Sequence, residues 1–141
     1  MNLPKAIICD IDGTLAILGN RDKFDPTTGI DLLNDPIANL LKVYDNQTVF
    51  KVDLILLTGR EDKYRDFTVD WLQKNGITNY KELYMRKTGD YRKDYVVKKE
   101  FFEKHIKPKY DVIFVLEDRD QAVKMWREEG LTCLQVAPGD F

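Results

Sequence analysis

Sulfur and imidazole are scarce in this chain: two cysteines and one histidine among 141 residues. Two cysteines are too few for a disulfide framework or a zinc cluster. Cys9 and Cys133 both fall in apolar segments, where free cysteine is ordinarily buried; both are expected in a core, in a reducing, cytoplasmic setting. His105 has no neighbours that suggest a ligand set or a triad, and it reads as a helix C-terminal residue, where positive charge is favourable. Long apolar runs are missing as well. None approaches the roughly 20 residues that a membrane helix needs, and Met1–Lys5 offers no apolar stretch followed by a cleavage site, so neither membrane insertion nor secretion is expected. Net charge is small, −2, which argues against broad adhesion to duplex nucleic acid while leaving room for a local basic rim. There is no internal repeat, low-complexity tract or obvious linker.

What is present is a regular alternation. Lys5–Cys9, Val52–Leu57 and Val112–Leu116 are short apolar runs that read as buried strands, and Tyr84–Met85 and Cys133–Val136 are weaker ones. Continuous apolar runs suit a parallel sheet covered on both faces. Between them lie helical patterns over Asp35–Tyr44, Asp62–Lys74, Asp94–His105 and Gln121–Glu129, with Gly76 and Gly130 placed to stop the second and fourth. Alternating strands and helices predict an α/β doubly wound fold. In such folds ligands bind at the carboxyl ends of the strands, and those ends are where the chemically capable residues fall.

The first strand runs into Asp10-Ile11-Asp12-Gly13-Thr14-Leu15. An acidic turn would look similar, since Asp-Gly is a common turn pair. Two carboxylates two residues apart also meet the needs of phosphomonoester hydrolysis. One is a nucleophile that takes the phosphoryl group. The other protonates the leaving oxygen and then activates water, while a divalent cation offsets the repulsion between anions. The second strand ends Leu57-Thr58-Gly59-Arg60-Glu61, where Thr58 is either a helix N-cap or a phosphate ligand beside backbone N–H groups. The stretch from Met85 to Lys98 is rich in cations, and Lys98, inside the following helix, has the length to reach back to the nucleophile. The fourth strand ends Leu116-Glu117-Asp118, acidic oxygens of the kind that hold magnesium.

These residues resemble the haloacid-dehalogenase (HAD) phosphatase superfamily. DIDGTLA, LLTGRED, MRKTGDYRKDYVVKKEFFEKHI and LEDRDQAVKMWREEGLTCLQVAPGDF are together similar to the 3′-phosphatase domain of bacteriophage polynucleotide kinase–phosphatase, over about Lys5–Phe141. The resemblance implies a single HAD-like domain over residues 1–141, a parallel sheet flanked by helices with no large cap domain. It implies Asp10 as nucleophile and Asp12 as acid/base, with Thr58 and Lys98 holding the phosphoryl group. Magnesium would sit on Asp10, the backbone carbonyl of Asp12, and Asp118. Arg21, Arg60 and Arg86 match arginines that the family uses around its substrate; the planar guanidinium fork suits phosphate. Glu117 stands where the phage pattern has Asp, so its metal contact is less assured than that of Asp118. No G-x-x-x-x-G-K-[ST] loop is present, and no 5′-kinase activity is expected of this chain.

The gaps between Asp12 and Thr58, and between Thr58 and Lys98, are too short for a large lid. An open site suits a phosphate at the end of a large molecule. The leading expectation is therefore release of a 3′-terminal phosphate from DNA or RNA, with a 2′,3′-cyclic phosphate as a possible extension, working beside a separate kinase or ligase. Tyr91, in the basic stretch, is the best-placed residue to stack on a base; Trp126 reads as core. The competing readings are a HAD phosphatase for a small metabolite, a phospho-acceptor domain of receiver type, and a nucleic-acid-binding subunit without catalysis.

Overall fold

The computed structural model describes residues 2–46 and 49–141; Met1 lies outside them. Its frame is a five-stranded sheet in the order β5-β4-β1-β6-β7. The strands are β1 (Lys5–Cys9), β4 (Val52–Glu61), β5 (Glu82–Arg86), β6 (Asp111–Glu117) and β7 (Cys133–Gln135). All four pairings are parallel. The chain builds outward from β1 through β4 to β5, then returns to the other side of β1 for β6 and β7. The order therefore reverses at β1, and the crevice of a doubly wound sheet opens at its carboxyl end.

Burial explains why the strands read as continuous apolar runs. In β1, Ile7 and Cys9 face one core, with Leu41 of α1 (Asp35–Asp45) and Trp71 and Leu72 of α2 (Arg65–Lys74). Ala6 and Ile8 face the other, with Phe102 at the end of α3 (Asp94–Phe101) and Val123 and Trp126 of α4 (Asp120–Glu128). A strand sandwiched between helices has no polar face to show. Trp126 is fully buried, and both cysteines are buried and free. Gly76 and Gly130 follow α2 and α4 with positive φ.

Three details away from β4 differ from the sequence expectation. First, α2 begins at Arg65, preceded by a 3-10 turn over Asp62–Tyr64. Second, the third helix is α-helical only to Phe101 and ends in one wider π turn, Phe102–Ile106. His105 sits in that turn, its ring stacked on Tyr84 at 5.6 Å. Third, the loop after β1 contains a small hairpin, β2 (Ala16–Ile17) against β3 (Leu32–Leu33), with a 3-10 turn at Pro26–Thr28. No large cap stands over the sheet among the described residues. None of the described helices is long and apolar enough to cross a membrane.

Candidate active site

β1 delivers Asp10 to the crevice with its backbone fixed, since the Asp10 N–H donates to the Leu116 carbonyl at 3.0 Å. Its carboxylate is buried. Lys98 Nζ approaches Oδ1 at 3.1 Å, and the Thr14 hydroxyl donates to Oδ2 at 3.1 Å. The chain must turn at once to bring Asp12 and Thr14 round, and Gly13 makes that turn at φ +81°. A Cβ there would lie 2.0 Å from Asp118 Oδ2, so conformation and space both demand glycine.

Lys98 is the hub of this half of the site. From the first turns of α3 its ammonium reaches Glu117 at 2.8 Å, Asp94 at 3.0 Å and Asp10 at 3.1 Å. The side chain is almost wholly buried. Burial alone would push the ammonium towards its neutral form; the charges of Asp10, Asp94 and Glu117 outweigh it and raise its pKa well above the ordinary value. Glu117 is occupied at both oxygens: Oε2 by Lys98, Oε1 by the N–H groups of Asp118 at 3.2 Å and Arg119 at 3.4 Å.

Asp12 lives in a different environment. Its side chain is 42% exposed and gripped by two guanidiniums: Arg60 through Nε at 2.9 Å and Nη2 at 2.8 Å, and Arg21 through Nη2 at 3.1 Å. Both arginines are pinned from behind by Asp31. Its carboxylate accepts from Arg21 at 2.7 and 3.0 Å, from Arg60 at 3.0 Å and from the Gly19 N–H at 2.9 Å. Burial pushes the Asp31 pKa up, but the hydrogen bonds from Arg21 and Gly19 and the charges of Arg21 and Arg60 prevail and hold it below the usual value.

Arg60 reaches this position because β4 does not end at Leu57. It continues to Glu61, with a register shift against β5 between Thr58 and Glu61. The bulge re-aims the chain. A Cβ on Gly59 would meet Asp94 Oδ1 at 2.3 Å, so only glycine lets the strand pass this close to the Lys98 cluster. Thr58, fully buried, is not a helix N-cap; its hydroxyl accepts from the Arg60 N–H at 3.1 Å. Arg86 donates to the carbonyls of Gly59 and Asp90, at 2.8 and 2.9 Å, and to that of Arg92. Its guanidinium fastens the cationic loop after β5 to the bulge.

The site thus collects Asp10, Asp12, Thr58, Lys98, Glu117 and Asp118 at the strand ends, with Arg21 and Arg60 around Asp12 and Arg86 beneath the loop. Three participants escaped the sequence reading. Asp94 carries an i,i+4 signal towards Lys98 that was there to be read. Thr14 lies within the motif itself. Asp31 carries no local signal: it sits in a loop, and its partners are 10 and 29 residues away.

The donor set fits a hard divalent cation. Carboxylate oxygens of Asp10, Glu117 and Asp118 lie within 4.8 Å of one another, and oxygen-only ligation is what magnesium selects. The charge count agrees. Asp10, Asp94, Glu117 and Asp118 share one ammonium, and burial, the other carboxylates and only partial relief from Lys98 push Asp10 well above its ordinary pKa. A further cation would correct that deficit. Donors already meet both oxygens of Glu117 and both of Asp10; at Asp118 only Oδ1 has one among the described residues, the Thr14 hydroxyl at 3.4 Å.

Comparison with known proteins agrees with this geometry. The family model of the polynucleotide kinase PNKP phosphatase domain matches residues 4–141. A putative bifunctional polynucleotide kinase/RNA ligase of Autographa californica nuclear polyhedrosis virus is 34% identical over 128 residues, which are 89% of this chain and 18% of the viral protein. Two solved structures of a Pnkp1/Rnl/Hen1 complex, one described as an RNA repair complex, contain a chain 50% identical over 99% of this one, with a TM-score of 0.92. This chain covers 44% and 48% of those chains, and so spans less than half of each relative.

Proposed function

The chain belongs to the family of polynucleotide kinase phosphatase domains, and from that membership we propose that it is a magnesium-dependent phosphomonoesterase that removes 3′-terminal phosphate from DNA or RNA through an aspartyl-phosphate on Asp10. The observation that carries this reading is the contrast between two carboxylates two residues apart. Asp10 is buried against Lys98, while Asp12 is half-exposed and held by Arg21 and Arg60. One is built to stay and be modified, the other to exchange protons with substrate and water.

In the proposed reaction Lys98 and the Thr14 hydroxyl hold the two Asp10 oxygens, so that one faces phosphorus in line with the leaving sugar oxygen. Thr58 and Lys98 bind phosphoryl oxygens. As substrate oxygens draw Arg21 and Arg60 from Asp12, Asp12 takes up a proton and gives it to the departing 3′ oxygen; P–O cleavage leaves phosphate on Asp10. Asp12, now ionised, takes a proton from water, which attacks the acyl phosphate and frees Asp10. Magnesium held by Asp10 and Asp118, with the Asp12 backbone carbonyl, would supply neutralisation of the phosphate charge. Arg21 and Arg60 orient Asp12 and lie ready for substrate oxygens.

The 3′-end substrate is supported by the open site and by its rim. Lys23, Lys63, Lys87 and Lys93 are exposed and, among the described residues, have no carboxylate within ion-pair distance. Tyr91, 86% exposed, stands between two of them. The 141 residues act as one catalytic unit, working in the cytoplasm beside a separate ligase or kinase. The test is phosphate release from oligonucleotides bearing a 3′- or a 5′-phosphate, with and without magnesium, alongside a panel of phosphorylated metabolites. Release from the 3′ end, abolished by chelation, is expected. Turnover of metabolites alone would leave the Asp10 chemistry standing and overturn the substrate.

A further inference from the structure

The two sides of the site are bridged by a patch that the phosphoryl chemistry does not use. Phe24 is 81% exposed and Phe141 51%. The Lys23 ammonium lies 5.6 Å from the centre of the Phe24 ring and 5.4 Å from that of Phe141. The Arg119 guanidinium carbon lies 5.1 Å from the centre of the same Phe141 ring, and its Nε donates to the Phe141 carbonyl at 2.8 Å. Two aromatic rings and two cations therefore form a continuous surface: Phe24, Lys23, Phe141, Arg119.

Its position ties it to the site. Arg119 follows Asp118 directly and opens α4 on the crevice side of the sheet. The Lys23 carbonyl accepts from Arg21 Nη1 at 3.3 Å, the guanidinium whose other nitrogens hold Asp12 and Asp31. Among the described residues, neither Lys23 nor Arg119 has a side-chain carboxylate within ion-pair distance; the close acceptor of Arg119 is the Phe141 backbone oxygen. The nearby Asp22 and Asp25 carboxylates are turned to the loop itself, accepting from the Phe24 N–H at 2.8 Å and from the Thr27 N–H and hydroxyl at 3.0 and 2.6 Å.

We propose that this patch seats the bases of the last nucleotides of a single-stranded 3′ end, with Phe141 and Phe24 as stacking platforms and Lys23 and Arg119 as contacts to the phosphodiesters between them. The proposal rests on the nucleic-acid reading of the site. Exposed rings beside fixed cations are what unpaired bases require, because every base offers a π face while its backbone offers negative charge. A small phosphorylated metabolite has nothing to place there. Because stacking reads no base edge, the seat tolerates any sequence. A base paired within a duplex is already stacked, so overhanging 3′ ends should be preferred to recessed ones.

The test uses a 3′-phosphorylated oligonucleotide whose terminal base is 2-aminopurine, together with an aryl phosphate as a substrate lacking bases. On binding to Asp10→Asn, which holds substrate without turnover, the fluorescence should be quenched by stacking. Adding Phe141→Ala or Phe24→Ala should remove much of the quench. In the active background the same changes should lower kcat/KM on the oligonucleotide roughly 10- to 100-fold relative to that on the aryl phosphate, mostly through KM. Phe141→Trp should restore both readouts and Phe141→Leu neither, which separates stacking from simple apolar packing. Equal quench and an unchanged ratio in the alanine variants would overturn the seat while leaving the 3′-phosphatase reading intact. Failure of the wild type to hydrolyse any oligonucleotide while cleaving the aryl phosphate would overturn both.

Discussion

Around Lys98 a single ammonium faces the carboxylates of Asp10, Asp94 and Glu117, with Asp118 beside them. Around Asp31 two guanidiniums face two carboxylates, Asp31 and Asp12. The first cluster is buried and short of positive charge; the second is balanced, and one of its members, Asp12, is partly open to solvent. A balanced cluster is a scaffold, and its charges satisfy one another whether or not a ligand is present. An unbalanced one is stable only with help, from protons or from a cation. In the proposed reaction the Lys98 side would bind the cation and take the phosphoryl group, and the Asp31 side would fix the orientation of the carboxylate that transfers protons.

The largest effect that would break this contrast is expected at Asp10, the proposed nucleophile. Asp10→Asn should lower kcat by at least about four orders of magnitude while circular dichroism and cooperative unfolding are retained, since the amide oxygen still accepts from Lys98 and the amide NH2 can donate to the Thr14 hydroxyl oxygen. Substantial turnover in a clean preparation would remove Asp10 from its role. Next comes Lys98→Met, which leaves the carboxylates without their cation. The expected loss is roughly 10²- to 10³-fold in kcat, with unfolding brought forward by about 3–5 kcal/mol in chelator and partly restored by magnesium. Asp31→Asn should act more gently and indirectly: kcat on an aryl phosphate falls roughly 10-fold or more, with a smaller change in KM, as Arg21 and Arg60 lose their backing and Asp12 its orientation.

The same variant has a pH signature. The folded-state pKa of Asp31 is depressed below its ordinary 3.8, so its contribution to stability is present above that value and is lost as pH falls through the depressed one. Wild type should therefore lose thermal stability more steeply than Asp31→Asn below pH 3.8; parallel curves would contradict the scaffold role. Smallest is the effect of magnesium alone. It should raise the melting temperature of wild type by a few degrees near saturation and do so less for Asp118→Asn. An equal shift in both would move the cation elsewhere.

Much of the fold was legible because burial on both faces leaves a plain mark. Lys5–Cys9 reads as a strand and ends as one, and Asp10 follows it at once. The elements that escaped are those whose residues lack a period. β2 and β3 have two residues each, too few to alternate. The last four residues of β4, Thr58-Gly59-Arg60-Glu61, are polar and look like loop; only pairing with β5 across a bulge makes them strand. The site divides the same way. Motif residues on strand ends, Asp10, Asp12 and Asp118, can be found from their neighbours in sequence. Asp31 cannot, because its meaning comes from Arg60, 29 residues on, which is brought to it by the bulge. Arg86 shows a limit of another kind: its place beside the site follows from the motif, but its bonds to the Gly59, Asp90 and Arg92 carbonyls do not.

The measurement that bears most directly on the central claim is an acid-quenched single turnover with an oligonucleotide radiolabelled in its 3′-terminal phosphate. The account predicts transient label on the protein, mapped to the peptide containing Asp10, sensitive to hydroxylamine and absent in Asp10→Asn. Release of labelled phosphate at full rate with no label passing through the protein would contradict it.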